Sequence, residues 1–160
     1  MTQSKCTALL IGMFLLLGVV ISPLVQAHKQ DRVSEEQLVK AGRTVLDGAA
    51  LETLVTGNTI TVVRFENSIE IPIFLKEGGT RFLQWKGKNY STPWRITDDT
   101  LCMDSIAGGT DCFHFVGGLD SSGSPWYSLC SVKVGGAGYK VGQCYWHVHE
   151  ILEGNPKNLK

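Results

Sequence analysis

The chain has 160 residues, 15 basic and 15 acidic side chains, no net formal charge and 43 % hydrophobic residues. A neutral chain without a basic run is a poor partner for nucleic acid or for an anionic membrane surface. Five cysteines in so short a chain make its compartment the first question.

Residues 1–27 read as an export leader. Lys5 gives a positive start, Ala8 to Val20 is apolar apart from Gly12 and Gly18, and Val25-Gln26-Ala27 is the small-x-small pattern of a cleavage site. An uncleaved anchor is the alternative, but Ser22 and Pro23 interrupt the run of about 20 apolar residues that a membrane span needs. Cys6 precedes the apolar run, where a lipidated cysteine would follow it. Cleavage after Ala27 leaves His28 to Lys160, with one net negative charge and four cysteines. The expected location is periplasmic or secreted, with no membrane insertion after cleavage. The expected division is a leader at 1–27, a helical segment at 28–57, a β-barrel domain at 58–154 and a tail at 155–160.

After a polar stretch from His28 to Arg32, two short helices carry clear start signals. Ser34 with Gln37 forms a capping box, flanked by Val33 and Leu38 as a hydrophobic staple. Asp47 starts the second helix, with Leu51, Leu54 and Val55 on one stripe and Gly57 as its stop. From Asn58 the texture changes to strands and glycine turns. Thr59 to Glu66 is β-branched, and Ile69 to Lys76 alternates with a period of two. Pro72 cannot donate to a ladder, so that strand lies at an edge or carries a bulge. Arg81–Lys86, Trp94–Thr97, Thr100–Asp104, Cys112–Val116, Trp126–Val134 and Tyr139–His149 follow, broken by Gly, Asp, Asn and Ser clusters. The fold class is mainly β: short N-terminal helices, then an antiparallel meander of about eight strands closing into a small barrel. A two-sheet sandwich is the alternative.

Four cysteines in an exported chain read as two disulfides. Spacings of C-x9-C and C-x13-C, with no C-x2-C knuckle, argue against zinc. Strand parity chooses among three connectivities. Leu101 and Met103 should face one side and Cys102 the other; Phe113 and Phe115 do the same for Cys112. A turn near Ala107 then sets Cys102 opposite Cys112, facing outward. A turn around Gly135 to Gly138 sets Cys130 opposite Cys144, on the face shared by Trp146 and Val148, and so toward the core.

His147 and His149 form the one constellation with metal-binding spacing, since residues i and i+2 on a strand point the same way. If Trp146 and Val148 face the core, both histidines face outward beside Tyr145. His114 would be a third ligand, but it lies two strand spacings away, about 9.5 Å, which is long for one shared ion. Asp98-Asp99 sits in a turn and reads as solvated, not as an acid/base pair. No phosphate loop and no nucleophile elbow occurs. Asn89-Tyr90-Ser91 is a formal glycosylation sequon. Trp85, Trp94, Trp126 and Trp146 read as core fillers or as the lining of a ligand cavity.

The segment Leu51 to Ile60, with its L-x-x-L-x-x-G-N-T pattern, resembles the opening helix and first strand of small secreted bacterial proteins of unknown function. Trp94-Arg95-Ile96-Thr97-Asp98-Asp99-Thr100-Leu101-Cys102, followed by Cys112, resembles their W-x-V-x-D-x-x-L-C…C hairpin. The resemblance covers Leu51 to Val116 and implies a lipocalin-like barrel; it implies no activity. Pro93 departs from the pattern, and Cys130, Cys144 and the histidine pair lie outside it.

The expected protein is therefore a non-enzymatic, monomeric binding module of the cell envelope, without a cofactor, whose partner is a small apolar ligand or an envelope protein. One alternative is a metal-binding protein using His147 and His149. The other is an inhibitor of an envelope hydrolase.

Overall fold

The computed structural model describes residues 32–133, 135 and 138–160. The proposed leader, Cys6 and the polar residues before Arg32 lie outside the described residues. Two helices and nine strands are α1 (Glu35–Lys40), β1 (Thr44–Val45), α2 (Gly48–Val55), β2 (Asn58–Arg64), β3 (Glu70–Lys76), β4 (Thr80–Trp85), β5 (Lys88–Thr97), β6 (Thr100–Asp104), β7 (Thr110–Leu119), β8 (Pro125–Lys133) and β9 (Cys144–Glu153). Strands β2 to β9 pair in chain order and antiparallel, and β2 pairs with β9, so the meander closes into an eight-stranded barrel. The sandwich alternative is thereby excluded. Closure removes free sheet edges. The two-residue β1 lies outside the closed ring, on β7, pairing Val45 with Val116.

Both helix starts follow the local signals. The Ser34 side chain accepts from Gln37 N–H and the Gln37 side chain returns the bond to the Ser34 backbone. The Asp47 carboxylate accepts from Ala50 N–H, and Gly57 closes α2 in the left-handed region at φ 73°. Leu51 and Val55, both 0 % exposed, belong to the barrel's main hydrophobic cluster, together with Ile60, Leu75, Trp94, Leu101 and Phe115. Thus α2 closes one end of the barrel. Asp98-Asp99 is an exposed turn, as expected, and it also has a structural task there: the Asp99 carboxylate accepts from Gly48 N–H at 2.8 Å. It thereby supplies a second anion at the positive end of α2.

Several strand boundaries differ from the sequence reading, and β9 runs on to Glu153. β5 begins at Lys88, since Asn89 to Pro93 pair with β4 despite their polar sequence. β9 begins at Cys144, and residues 138–143 are irregular. β7 runs on through Gly117 and Gly118, where side chains are excluded by neighbours: a Cβ at Gly117 would lie 2.6 Å from the Tyr127 ring.

The strand with Pro72 is neither an edge nor bulged there: β3 lies between β2 and β4, and β2 pairs with it through Thr61↔Pro72. The β3–β4 pairing stops at Ile73↔Leu83, one residue before Pro72, which has no N–H to extend it. β5 pairs with β4 only up to Pro93 and with β6 only from Trp94. The β3–β4 break, and the lack of a β6 partner for Lys88 to Pro93, leave the wall less completely paired away from α2.

Disulfides join Cys102 to Cys112 and Cys130 to Cys144, each between directly paired residues of neighbouring strands. The pairing expected from parity holds, but the facing of the second bond does not. Leu129 pairs with Trp146 and Cys130 with Cys144, leaving Tyr145 as an extra residue in a β-bulge. The bulge reverses the parity of Cys144 relative to Trp146. The bond is fully buried, but on the outer face, in a second cluster with Phe65 and Val116 that Leu38, Val45 and Trp126 pack against. Tyr145, expected beside the surface histidines, is 2 % exposed and joins the barrel interior.

Candidate functional site

Alternation sends Val62 and Arg64 of β2, Ile71 and Ile73 of β3, and Arg81, Leu83 and Trp85 of β4 to the inside of the barrel. At the end away from α2 these side chains do not meet across the lumen. They surround a cavity of about 250 Å³, completed by Met103, Phe113, Leu129 and Trp146 from the opposite wall. Ser105, Ile106 and Ala107 of the β6–β7 loop and Tyr139 of the β8–β9 connection stand at its mouth. Ile106 is 42 % exposed there, a large apolar side chain left beside the opening. An engineered cavity of about 150 Å³ holds benzene, so this one has room for about ten non-hydrogen atoms.

Three charged side chains reach the lining. Arg64 donates from Nη2 to Glu66 at 2.9 Å, and its guanidinium lies 5.7 Å from the centre of the Trp146 ring. Glu66 also pairs with Arg32, whose hydrogen bond is the main cause holding its carboxyl below the ordinary range. Asp111 accepts from Gly135 N–H at 2.7 Å. Arg81 is 8 % exposed and spans the break between β5 and β6. It donates from Nε to the Thr92 hydroxyl at 2.9 Å and from Nη2 to the Asp104 carbonyl at 2.7 Å. Nη1 stands 3.3 Å from Met103 Sδ. Burial lowers the Arg81 pKa to about 10, with Asp111 the leading charge acting in the opposite sense. It is therefore a cation at neutral pH. Tyr139 accepts from Trp146 Nε1–H at 3.2 Å, and burial raises its pKa.

The tryptophans divide between the two readings. Trp85 and Trp146 line the cavity. Trp94 fills the closed end and donates to the Lys76 carbonyl at 3.0 Å. Trp126 is outside the barrel beneath Arg43, 5.2 Å from its ring centre.

The histidines lie apart from this cavity. His147 points outward, half-buried, its ring 5.2 Å from that of Phe65. Its Nδ1 has no partner among the described residues, and burial, then His149, lowers its pKa. The two histidines are not equivalent as simple alternation implied. Thr61 pairs with Glu150 and Val62 with Val148, so exposed His149 is the extra residue of another bulge. His114 lies on β7 opposite Cys130, with β8 between it and β9, and its Nδ1 meets Glu35 of α1 at 2.9 Å. Among the described residues, no three His, Cys, Asp or Glu side chains gather as ligands for one ion.

Sequence reasoning missed Arg81, which reads as an ordinary strand-end cation. Its alternation with Leu83 and Trp85 was the available signal, because that parity puts the guanidinium on the apolar face. Compared with known protein families, curated proteins and solved structures, the chain matches none of them.

Proposed function

We propose that this chain is an exported, non-enzymatic binding module of the cell envelope whose ligand is a small, largely apolar molecule held in the open end of the barrel. The observation that carries this reading is the cavity of about 250 Å³, walled by aliphatic and aromatic side chains and opposite the end that α2 fills. Preformed concave sites of this kind, apolar with a few convergent polar groups, are where small ligands bind. Export is supported by the leader pattern and by two disulfides, bonds that persist in oxidising compartments. The lipocalin-like resemblance of Leu51 to Val116 agrees with it.

The test is a titration of the mature chain with 1-octanol, a neutral probe of about ten heavy atoms, followed by NMR of side-chain methyls. Saturable shifts at Leu83, Met103 and Leu129, absent at Leu51 and Val55, are expected. Shifts confined to surface residues, or none at millimolar probe, would refute the cavity as a binding site.

A further inference from the structure

We infer that the natural ligand is a small monocarboxylate with an apolar body, its carboxylate held by the two Arg81 Nη hydrogens that have no acceptor among the described residues. This rests on the cavity being the binding site. A guanidinium has five N–H donors and no acceptor. Three are directed at Thr92, Met103 and Asp104, and none of these three is an anionic group: a hydroxyl, a thioether and a backbone carbonyl. One N–H on each Nη remains. Among the described residues Arg81 has no ion pair, although it lines the cavity and is only 8 % exposed. Asp111 favours the cation through space without an ion pair, and the Val, Ile, Leu, Phe and Trp side chains of the wall offer its two remaining N–H groups no acceptor.

The open donors of Arg81 set the sign of the ligand. Of the charges in the lining, Arg64 is paired with Glu66. Asp111 keeps its charge and accepts from Gly135 N–H, but it makes no ion pair with Arg81 among the described residues. The group left with unused polar capacity toward the cavity is therefore the Arg81 guanidinium. Two parallel N–H groups on one planar fork fit the two oxygens of a carboxylate, which gains a bidentate pair. The Tyr139 hydroxyl, which accepts from Trp146 and whose own proton has no acceptor among the described residues, is a further donor on the same cavity. The remaining wall sets the body: an aliphatic or aromatic tail that brings the whole molecule to about ten heavy atoms.

Three probes of equal length separate the charge from the cavity: octanoate, 1-octanol and octylamine, titrated calorimetrically into the mature wild-type chain. Octanoate should bind at least about tenfold tighter than octanol, and octylamine weakest. In Arg81→Met, which keeps the volume, that preference should vanish while octanol still binds. Carboxyl-labelled octanoate should titrate at lower pH when bound than when free, a shift that a merely structural Arg81 would not produce. Equal binding of octanoate and octanol to wild type overturns the carboxylate and leaves the cavity standing. Tighter binding of octylamine overturns it too, with Asp111 as the deciding charge. No binding of any probe overturns the cavity itself. The wild-type arms and the labelled probe decide the matter even if Arg81→Met does not fold.

Discussion

Removing each disulfide separately tests the bulge-reversed packing of the second one. The bonds close similar loops, with sequence separations of 10 and 14. Chain entropy makes each worth about 3 kcal/mol, so loop length alone predicts nearly equal losses. Their surroundings differ. Cys130 and Cys144 are 0 % exposed and sit with Phe65 and Val116 beneath Leu38 and Val45, so an alanine pair leaves a void under α1. Cys102 and Cys112 are buried too, at 5 % and 4 % exposure, but belong to neither hydrophobic cluster. A void the size of two sulfurs adds on the order of 1–2 kcal/mol. We expect Cys102→Ala/Cys112→Ala to lose about 3 kcal/mol and Cys130→Ala/Cys144→Ala about 4–5 kcal/mol. Urea unfolding read by tryptophan fluorescence, with slopes compared, measures both. Amide exchange at Leu38 and Ala41 should accelerate only in the second variant, because only that bond supports α1. Equal midpoints with unchanged α1 exchange would refute the outer placement.

Two further outcomes follow from the geometry. The depressed pKa of His147 means that the unfolded chain takes up a proton, near its ordinary value of about 6.5, before the native chain does. Stability is then full above that pH and declines as pH falls toward the lower native value. His147→Gln should flatten this decline in urea midpoints measured from about pH 8 to about pH 5, and an unchanged slope would sink the assignment. Gly117→Ala should cost about 1–3 kcal/mol because its Cβ would meet the Tyr127 ring. A wild-type urea midpoint would show that the ring moves aside freely.

Much of the barrel is visible in alternation and punctuation. Ser34 and Gln37 announce α1, Asp47 and Gly57 bracket α2, and Leu101, Met103, Phe113 and Phe115 place the first cystine correctly. What escapes has a common cause: features decided by two strands at once. Tyr145 is a good strand residue, so nothing in its own neighbourhood marks it as the extra residue that turns Cys144 outward. His149 is concealed in the same way. The first half of β5 hides because Lys88 to Thr92 is polar, and only its pairing with Thr80 to Trp85 makes it a strand. The cavity is lined by side chains of seven strands, β2, β3, β4, β6, β7, β8 and β9, and no single strand's sequence announces that they fail to meet across the lumen.

Both covalent links lie in the last four strands, β6 to β9, and each spans one hairpin. The seam that completes the ring joins Ile60 to Ile151, nearly the whole length of the barrel sequence, and it is held by hydrogen bonds and packing alone. Oxidation therefore shortens only the local searches of folding. The slow event, by loop-closure and contact-order reasoning, is the arrival of β2 at β9. Until then the oxidised hairpins would present β9 as an uncapped edge, the most aggregation-prone moment in the life of this chain.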